Sequence, residues 1–251
     1  MKNVLKTLAA SLGYEIRKIT HFPQVIGQGD IVEHKIDGHV VRFFVENRFN
    51  MIGSAHFAGR FYEAEELEQV RAHARPGGIF VDIGANFGNH ALFFALVMQA
   101  DRVIAFEPGR KARGILGMNI ALNDLDDVIQ VRRVALSDKT GSAYMKPLFE
   151  QNIGSNSVTD DAAGEPVTLD LADNRLPREG ISFIKIDVER HEYAVLAGMN
   201  EVISASRPVL MIETSVEERD SLTGWARAHD YRTVYELTRH GDIVNVILSP
   251  A

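Results

Sequence analysis

The sequence predicts an α/β fold with a mostly parallel sheet, and three observations predict it. From Ile79 to about residue 229, apolar strand-length runs alternate with helix-length segments, the signature of parallel strands joined by crossover helices. The first of those runs ends in a glycine-containing loop, where an open parallel sheet binds its ligands. The chain then closes on two antiparallel runs with a turn between them.

The elements follow in order. The first residues read as a short helix with Val4, Leu5, Leu8 and Leu12 on one side. Residues 31–45 read as a β-hairpin, because Asp37-Gly38 is a turn signal between flanks rich in Val, Ile and Phe. Phe43, Phe44 and Phe49 are expected in the core. A helix follows from about Glu63 to Ala74, stopped by Pro76-Gly77-Gly78. IFVDIG (79–84) is a strand and NHALFFALVMQA (89–100) a buried helix. RVIAFEP (102–108), GRKARGILGMNIALN (109–123) and VIQVRRVAL (128–136) read as strand, helix and strand. Residues 137–180 are less regular, with PVTLDL (166–171) strand-like. ISFIKIDV (181–188) is a fourth strand, followed by a helix to about Met199, and PVLMIET (208–214) is a fifth. A helix near 217–229 precedes the final pair, 231–237 and 242–248, with His240-Gly241-Asp242 as its turn. The expected division is a helix-and-hairpin extension over residues 1–60 and a sheet domain over 61–251.

Composition narrows the class. The chain has 251 residues, a formal charge of −7 and no cysteine. The acidic balance argues against nucleic acid as a partner, which needs clustered Lys and Arg; the small cluster Arg110-Lys111-Arg113 reads as a solvated helix face. Without cysteine there is no disulfide framework, thiolate zinc site or thiol nucleophile. The start, MKNVLKTLAASLG, lacks the apolar stretch of a secretory signal, and the longest apolar run, Ala91–Met98, is far short of a membrane span. The expectation is a cytoplasmic protein with no membrane insertion.

The ligand-binding candidates sit at the strand ends. Asp82-Ile83-Gly84-Ala85-Asn86-Phe87-Gly88 leads out of the first strand, with glycines that let the backbone turn sharply and approach a ligand. Asp82 is placed to hold a cationic ammonium group. Glu107 closes the second strand, where a carboxylate can accept two hydrogen bonds from a ribose diol. A dinucleotide fingerprint, G-x-G-x-x-G, would need glycine where Asn86 and Asn89 stand. A glycine turn that merely joins strand to helix is the plain alternative.

VDIGANFGNHALFFA (81–95), VIAFEPG (103–109), NIALN (119–123), VALSD (134–138), NIGS (152–155), FIKIDVERHE (183–192) and PVLMIE (208–213) together resemble, in order, the FkbM-type methyltransferases, over about residues 60–215. The resemblance implies a Rossmann-like class I methyltransferase fold: a seven-stranded sheet of order 3-2-1-4-5-7-6, strand 7 antiparallel, helices on both faces. The ending hairpin suits that family better than a dehydrogenase. The resemblance also implies S-adenosylmethionine as cofactor and often a sugar or polyketide hydroxyl as acceptor. By position, Asp82, Gly84, Asn86 and Gly88 should line the methionine end and Glu107 should hold the ribose. Ala135, Leu136 and Asp138 should lie near the adenine, and Asp187 and Glu189 should face the methyl group and acceptor. The family usually has glycine after D-V-E; here stand Arg190 and then His191. Arg190 either narrows the acceptor pocket or binds an acidic acceptor, or it begins the next helix and points into water.

An alcohol acceptor must lose its proton at or before attack, so a general base is expected. Asp187 is the first candidate, with Glu189, His191 and His90 behind it. A Mg²⁺ ion between Asp187 and Glu213 is a further option, with Glu213 otherwise only shaping the pocket. Lys185, inside an apolar strand, is expected to send its ammonium to a carboxylate or a sheet edge. Asn152, Gly154 and Asn156 lie in a segment of the kind that forms lids. The region before Glu63 is expected to cover the same mouth or to support a homodimer. An NAD-dependent oxidoreductase and a non-catalytic nucleoside-binding module are the alternative readings.

Overall fold

The computed structural model describes residues 28–147, 156–159, 161–239 and 241–251. The helix expected at the N-terminus, Asn152, Gly154 and His240 lie outside them.

The hairpin forms as expected. β1 (Asp30–Ile36) and β2 (His39–Val45) pair antiparallel around Asp37 and Gly38, both left-handed, with φ of 50° and 85°. Two left-handed turn residues match the twist of the strands they join. α1 (Met51–Phe57), which the sequence reading missed, begins at Asn50, whose side chain accepts the Gly53 N–H at 2.6 Å. That asparagine is the local signal for the helix start. α2 (Ala64–His73) follows.

The central sheet contains β3 (Ile79–Ile83), β4 (Arg102–Phe106), β5 (Ile129–Arg132), β10 (Ile181–Ile186), β11 (Val209–Ser215), β12 (Tyr231–Thr238) and β13 (Ile243–Pro250). Its order is β12-β13-β11-β10-β3-β4-β5, with β13 antiparallel to both its neighbours. This is the expected 3-2-1-4-5-7-6 arrangement. α3 (Asn89–Leu96), α4 (Arg110–Leu122) and α8 (Arg219–Ala228) join its strands. The crossover after β10 holds two short helices, α6 (Glu192–Ala197) and α7 (Asn200–Ser206), where one was expected.

Strand alternation assigns residues to two cores. Phe80, Phe183 and Met211 face one cluster, and Val81, Ile184, Leu210 and Ile212 face the other. Both faces are covered, so the parallel strands read as continuous apolar runs. The hairpin belongs to the first cluster: Val41, Phe43 and Val45 share it with Phe80 and Phe93. Asn119 of α4 and Asn123 just after it hold the hairpin, the first accepting the Phe44 N–H at 2.7 Å and the second accepting the Arg42 N–H at 2.9 Å.

The strand expected over 128–136 is two strands in two sheets. β5 stops at Arg132, where Arg132 and Arg133 are exposed, and β6 (Ala135–Leu136) joins a second sheet. That sheet, of order β6-β9-β7-β8, includes β7 (Gly141–Pro147), β8 (Asn156–Thr159) and β9 (Glu165–Asp170). Only β9 was read from the sequence. α5 (Ala172–Arg175) leads from β9 toward β10.

Candidate active site

The loops after β3, β4, β10 and β11 meet at the carboxyl edge of the sheet. In the β3 loop, Gly84, Asn86 and Gly88 are left-handed, with φ of 80°, 49° and 89°. A β-carbon on Gly84 would lie 1.8 Å from the Asp187 carbonyl oxygen. One on Gly88 would lie 2.5 Å from Leu116 Cδ1. Both glycines therefore also let the protein's own chain pack closely here.

Glu107, 5% exposed, follows β4 and folds back over this loop. Its Oε2 accepts the Asn86 N–H and its Oε1 accepts the Gly109 N–H, each at 2.8 Å. Burial pushes its carboxyl up to about 7, against the pull of those two N–H groups.

A cavity opens beside Glu107. Its polar lining includes Gly84, Asn86, Glu107, Asp187 and Glu189; its apolar lining includes Phe106, Ala135, Leu136, Met145 and Val158. Met145 and Val158 come from the second sheet and were not expected here. The buried alternation of Ala143 and Met145 is the signal that could have exposed β7.

Three expected binding residues lie off this cavity. Gly88 packs against α4, as above. Asp138 is exposed and accepts the Ser137 hydroxyl at 3.1 Å. Asp82 is fully buried and sits in register with Lys185 on the neighbouring strand. The cation near its carboxylate is the Lys185 ammonium, 3.6 Å away, because parallel neighbours in register project to the same face. Lys185 also reaches Asp187 Oδ2 at 3.0 Å and donates to the Gly84 carbonyl at 3.3 Å. Burial disfavours its charge, but the Asp187, Asp82 and Glu63 carboxylates outweigh that and raise its pKa. The expectation that Lys185 finds a carboxylate is met twice over.

A second, larger cavity shares Asn86, Asp187 and Glu189 with the first. Tyr62, Glu63, Glu213, Arg239 and Phe49 also line it. Phe43 and Phe44 are core residues, but Phe49 is 85% exposed at this cavity, which corrects its core assignment. Asn47 and Phe49–Ile52 supply much of this wall, so the described segment just before Glu63 lies at this cavity. Tyr62, Glu63 and Arg239 had no functional signal in the sequence, since no motif links the α2 start to the β12 end. Arg239 forms a two-pronged ion pair with the buried Glu66, which ties the last hairpin to α2.

The histidines fall on different sides. His191 lines the first cavity and not the second, its Nε2 3.0 Å from the Ser137 hydroxyl. Burial lowers its pKa. His90 lines neither cavity and pairs with Glu63 at 3.2 Å.

Carboxyl groups crowd the second cavity. Burial, with the Asp187 and Glu192 charges, pushes Glu189 up to about 7. Burial with the Asp187, Glu63 and Glu189 charges pushes Glu213 up to about 10. Among the described residues no group of three or more His, Asp or Glu side chains is placed to hold a metal ion.

Arg190 is exposed and lines neither cavity. Its φ is 72° and that of Glu189 is 55°. The left-handed backbone gives the family glycine a physical reason, and arginine is strained there. Arg190→Gly should raise the melting temperature by about 1–3 °C, since relief of left-handed strain exceeds the glycine entropy cost by a fraction of a kcal/mol. A lower melting temperature on thermal unfolding would refute the strain argument.

Residues 82–243 of this chain match the family described as the methyltransferase FkbM domain. The hexuronic acid methyltransferase AglP of Haloferax volcanii is 23% identical over 84% of this chain and 86% of its own length. The methyltransferase sdnD of Sordaria araneosa is 26% identical over 48% of this chain, which spans 60% of that relative's length. Among solved structures, a Streptococcus pneumoniae protein in complex with S-adenosyl-L-methionine superposes with a TM-score of 0.51 at 18% identity, covering 74% of this chain and 72% of that one. M. jannaschii TYW2 in complex with AdoMet gives 0.50 at 14% identity, covering 90% of each chain. Among the described residues no helix is long and apolar enough to cross a membrane. The sheet order agrees with the sequence blocks and the family match, and the chain belongs to the FkbM methyltransferase family.

Proposed function

We propose that this chain is an S-adenosylmethionine-dependent O-methyltransferase acting on a hydroxyl of a sugar, glycan or secondary metabolite. The observation that carries the reading is the meeting of two cavities at Asn86, Asp187 and Glu189. A cofactor in one and an acceptor in the other would touch across that line.

The residues of the first cavity fit the cofactor. Each Glu107 oxygen takes one backbone N–H, and a carboxylate oxygen has a further lone pair for a ribose hydroxyl. Ala135 and Leu136, with Phe106, Met145 and Val158, offer an apolar wall to the adenine. Asp138 reaches this wall only through Ser137 and His191. Gly84 and Asn86 line the methionine end; the Asn86 side-chain oxygen is buried without a hydrogen-bond partner. Asp82 and Gly88 serve that end from behind, by fixing Lys185 and α4. When bound, S-adenosylmethionine supplies a methyl group on a sulfonium centre.

Asp187 accepts the acceptor's proton, with its position fixed by the Lys185 ammonium. Glu189 orients the acceptor beside it. His191 supports the cofactor wall. Alignment of nucleophile and methyl is worth several kcal/mol in favourable systems, and Phe49, Met51 and Ile243 at the second cavity help exclude water. The sugar-acceptor part of the reading draws support from the description of the AglP relative as a hexuronic acid methyltransferase.

Two measurements test the reading. S-adenosylhomocysteine at 100 times its Kd should stabilise the fold by about 2.7 kcal/mol, or roughly 5–10 °C, with no shift from NAD⁺. Tritium from the labelled methyl group should then appear in methyl β-D-glucuronide or a related glycoside. A shift with NAD⁺ alone, or with neither ligand, would overturn the cofactor.

A further inference from the structure

Glu213 has no part in the scheme above, yet its side chain lines the acceptor cavity. It makes no hydrogen bond and no ion pair among the described residues. Its near neighbours are otherwise engaged: Asp187 with Lys185, and Glu63 with His90. Its carboxyl opens to the cavity with no protein partner, so a ligand group placed there can complete its hydrogen bonding.

The sheet fixes where Glu213 stands. Lys185 pairs with Met211 and Ile186 with Ile212 on the parallel strands β10 and β11. One residue further on, Asp187 and Glu213 are level with each other. Side chains alternate along a strand, so both project to the face that carries Lys185 and Met211. Neighbouring strands lie about 4.8 Å apart, which sets two carboxyl groups side by side on one cavity wall.

We propose that Glu213 binds the acceptor oxygen next to the one that Asp187 deprotonates, so that the cavity selects acceptors carrying two neighbouring hydroxyls. Burial and the Asp187, Glu63 and Glu189 charges keep the Glu213 carboxyl protonated at neutral pH, against the pull of Lys185. It can then donate one hydrogen bond and accept another, which is the complement of a hydroxyl. Asp187, beside the Lys185 ammonium, is left for the reacting oxygen. Two adjacent carboxyl groups thereby take two roles, set by their surroundings.

This inference rests on the methyltransferase reading, and the experiment separates the two. Tritium transfer from S-adenosylmethionine is measured to trans-cyclohexane-1,2-diol and to cyclohexanol, which differ by one neighbouring hydroxyl. The wild-type protein should favour the diol in kcat/KM by about tenfold or more, the loss expected when a buried polar group is left unpaired. Glu213→Ala should erase that preference while S-adenosylhomocysteine binds as before, and Glu213→Gln, which also donates and accepts, should restore most of it. Equal use of both alcohols by the wild type, a preference that survives in Glu213→Ala, or no transfer to either alcohol while S-adenosylhomocysteine binds, overturns the proposal. Failure of S-adenosylhomocysteine to bind the wild type overturns the methyltransferase reading instead.

Discussion

Asparagine at position 187 should leave S-adenosylhomocysteine affinity within about threefold and lower methyl transfer by about 10²–10⁴-fold, the usual contribution of a general base. The substitution keeps the side chain's shape and removes its charge. Asp187 lines both cavities and is the residue through which Lys185 touches the reacting edge. The asparagine protein should also melt earlier, because Lys185 is buried and would keep only Asp82, at 3.6 Å, as a carboxylate partner. Binding titration and single-turnover transfer separate the two effects. Full transfer activity in the asparagine protein would remove Asp187 as the base.

Glu107→Ala should weaken S-adenosylhomocysteine by about 100-fold or more, roughly 3 kcal/mol, because hydrogen bonds to a charged group contribute about 1.5–3 kcal/mol each. The Asn86 and Gly109 N–H groups would also lose their acceptor. The wild-type site carries a pH signature. The Glu107 carboxyl is raised to about 7 in the ligand-free fold. A ribose diol donates to the ionised form, so affinity should rise with pH through that value and level off above it. Between pH 6 and pH 8 the gain is about tenfold, following the ionised fraction. The same raised pKa acts oppositely on the ligand-free fold. Its contribution to stability is fully present below the unfolded value, 4.5, and is lost as pH rises through about 7. Glu107→Gln should flatten both curves. Wild-type affinity in Glu107→Ala, or the same slope in Glu107→Gln, would take the ribose away from Glu107.

Much of this was legible in the residues. Strands joined by helices carry their signal locally, in the apolar runs at 79–83, 102–106, 181–186 and 209–215. The place of Glu107 at a cavity was legible because a strand-end carboxylate announces itself by position. That of Asp187 was legible from the D-V-E block, and its place beside Lys185 follows from strand alternation. The Asp37-Gly38 turn likewise needs nothing beyond its own backbone preference.

Other features had no local signal. Whether Val134-Ala135-Leu136 continues β5 or opens a second sheet depends on which strand it pairs with, and β9 lies 30 residues further along the chain. Asp82 looked like a ligand residue because its strand-end position is right. Only the register with β10 shows that Lys185 stands beside it. Phe49 looked like core because it is aromatic, but the path of the chain from β2 to α1 puts it at a cavity mouth.

The sequence by itself determined the order of the central-sheet strands, the family and the strand-end carboxylates, because propensity, turn chemistry and motif spacing act over a few residues. The tertiary structure alone decided which carboxylates face a cavity, which are tied to Lys185, and that Tyr62, Glu63 and Arg239 join them. Those outcomes depend on register and on contacts between residues more than 100 positions apart, where burial and neighbouring charge, and not residue type, set what a side chain can do.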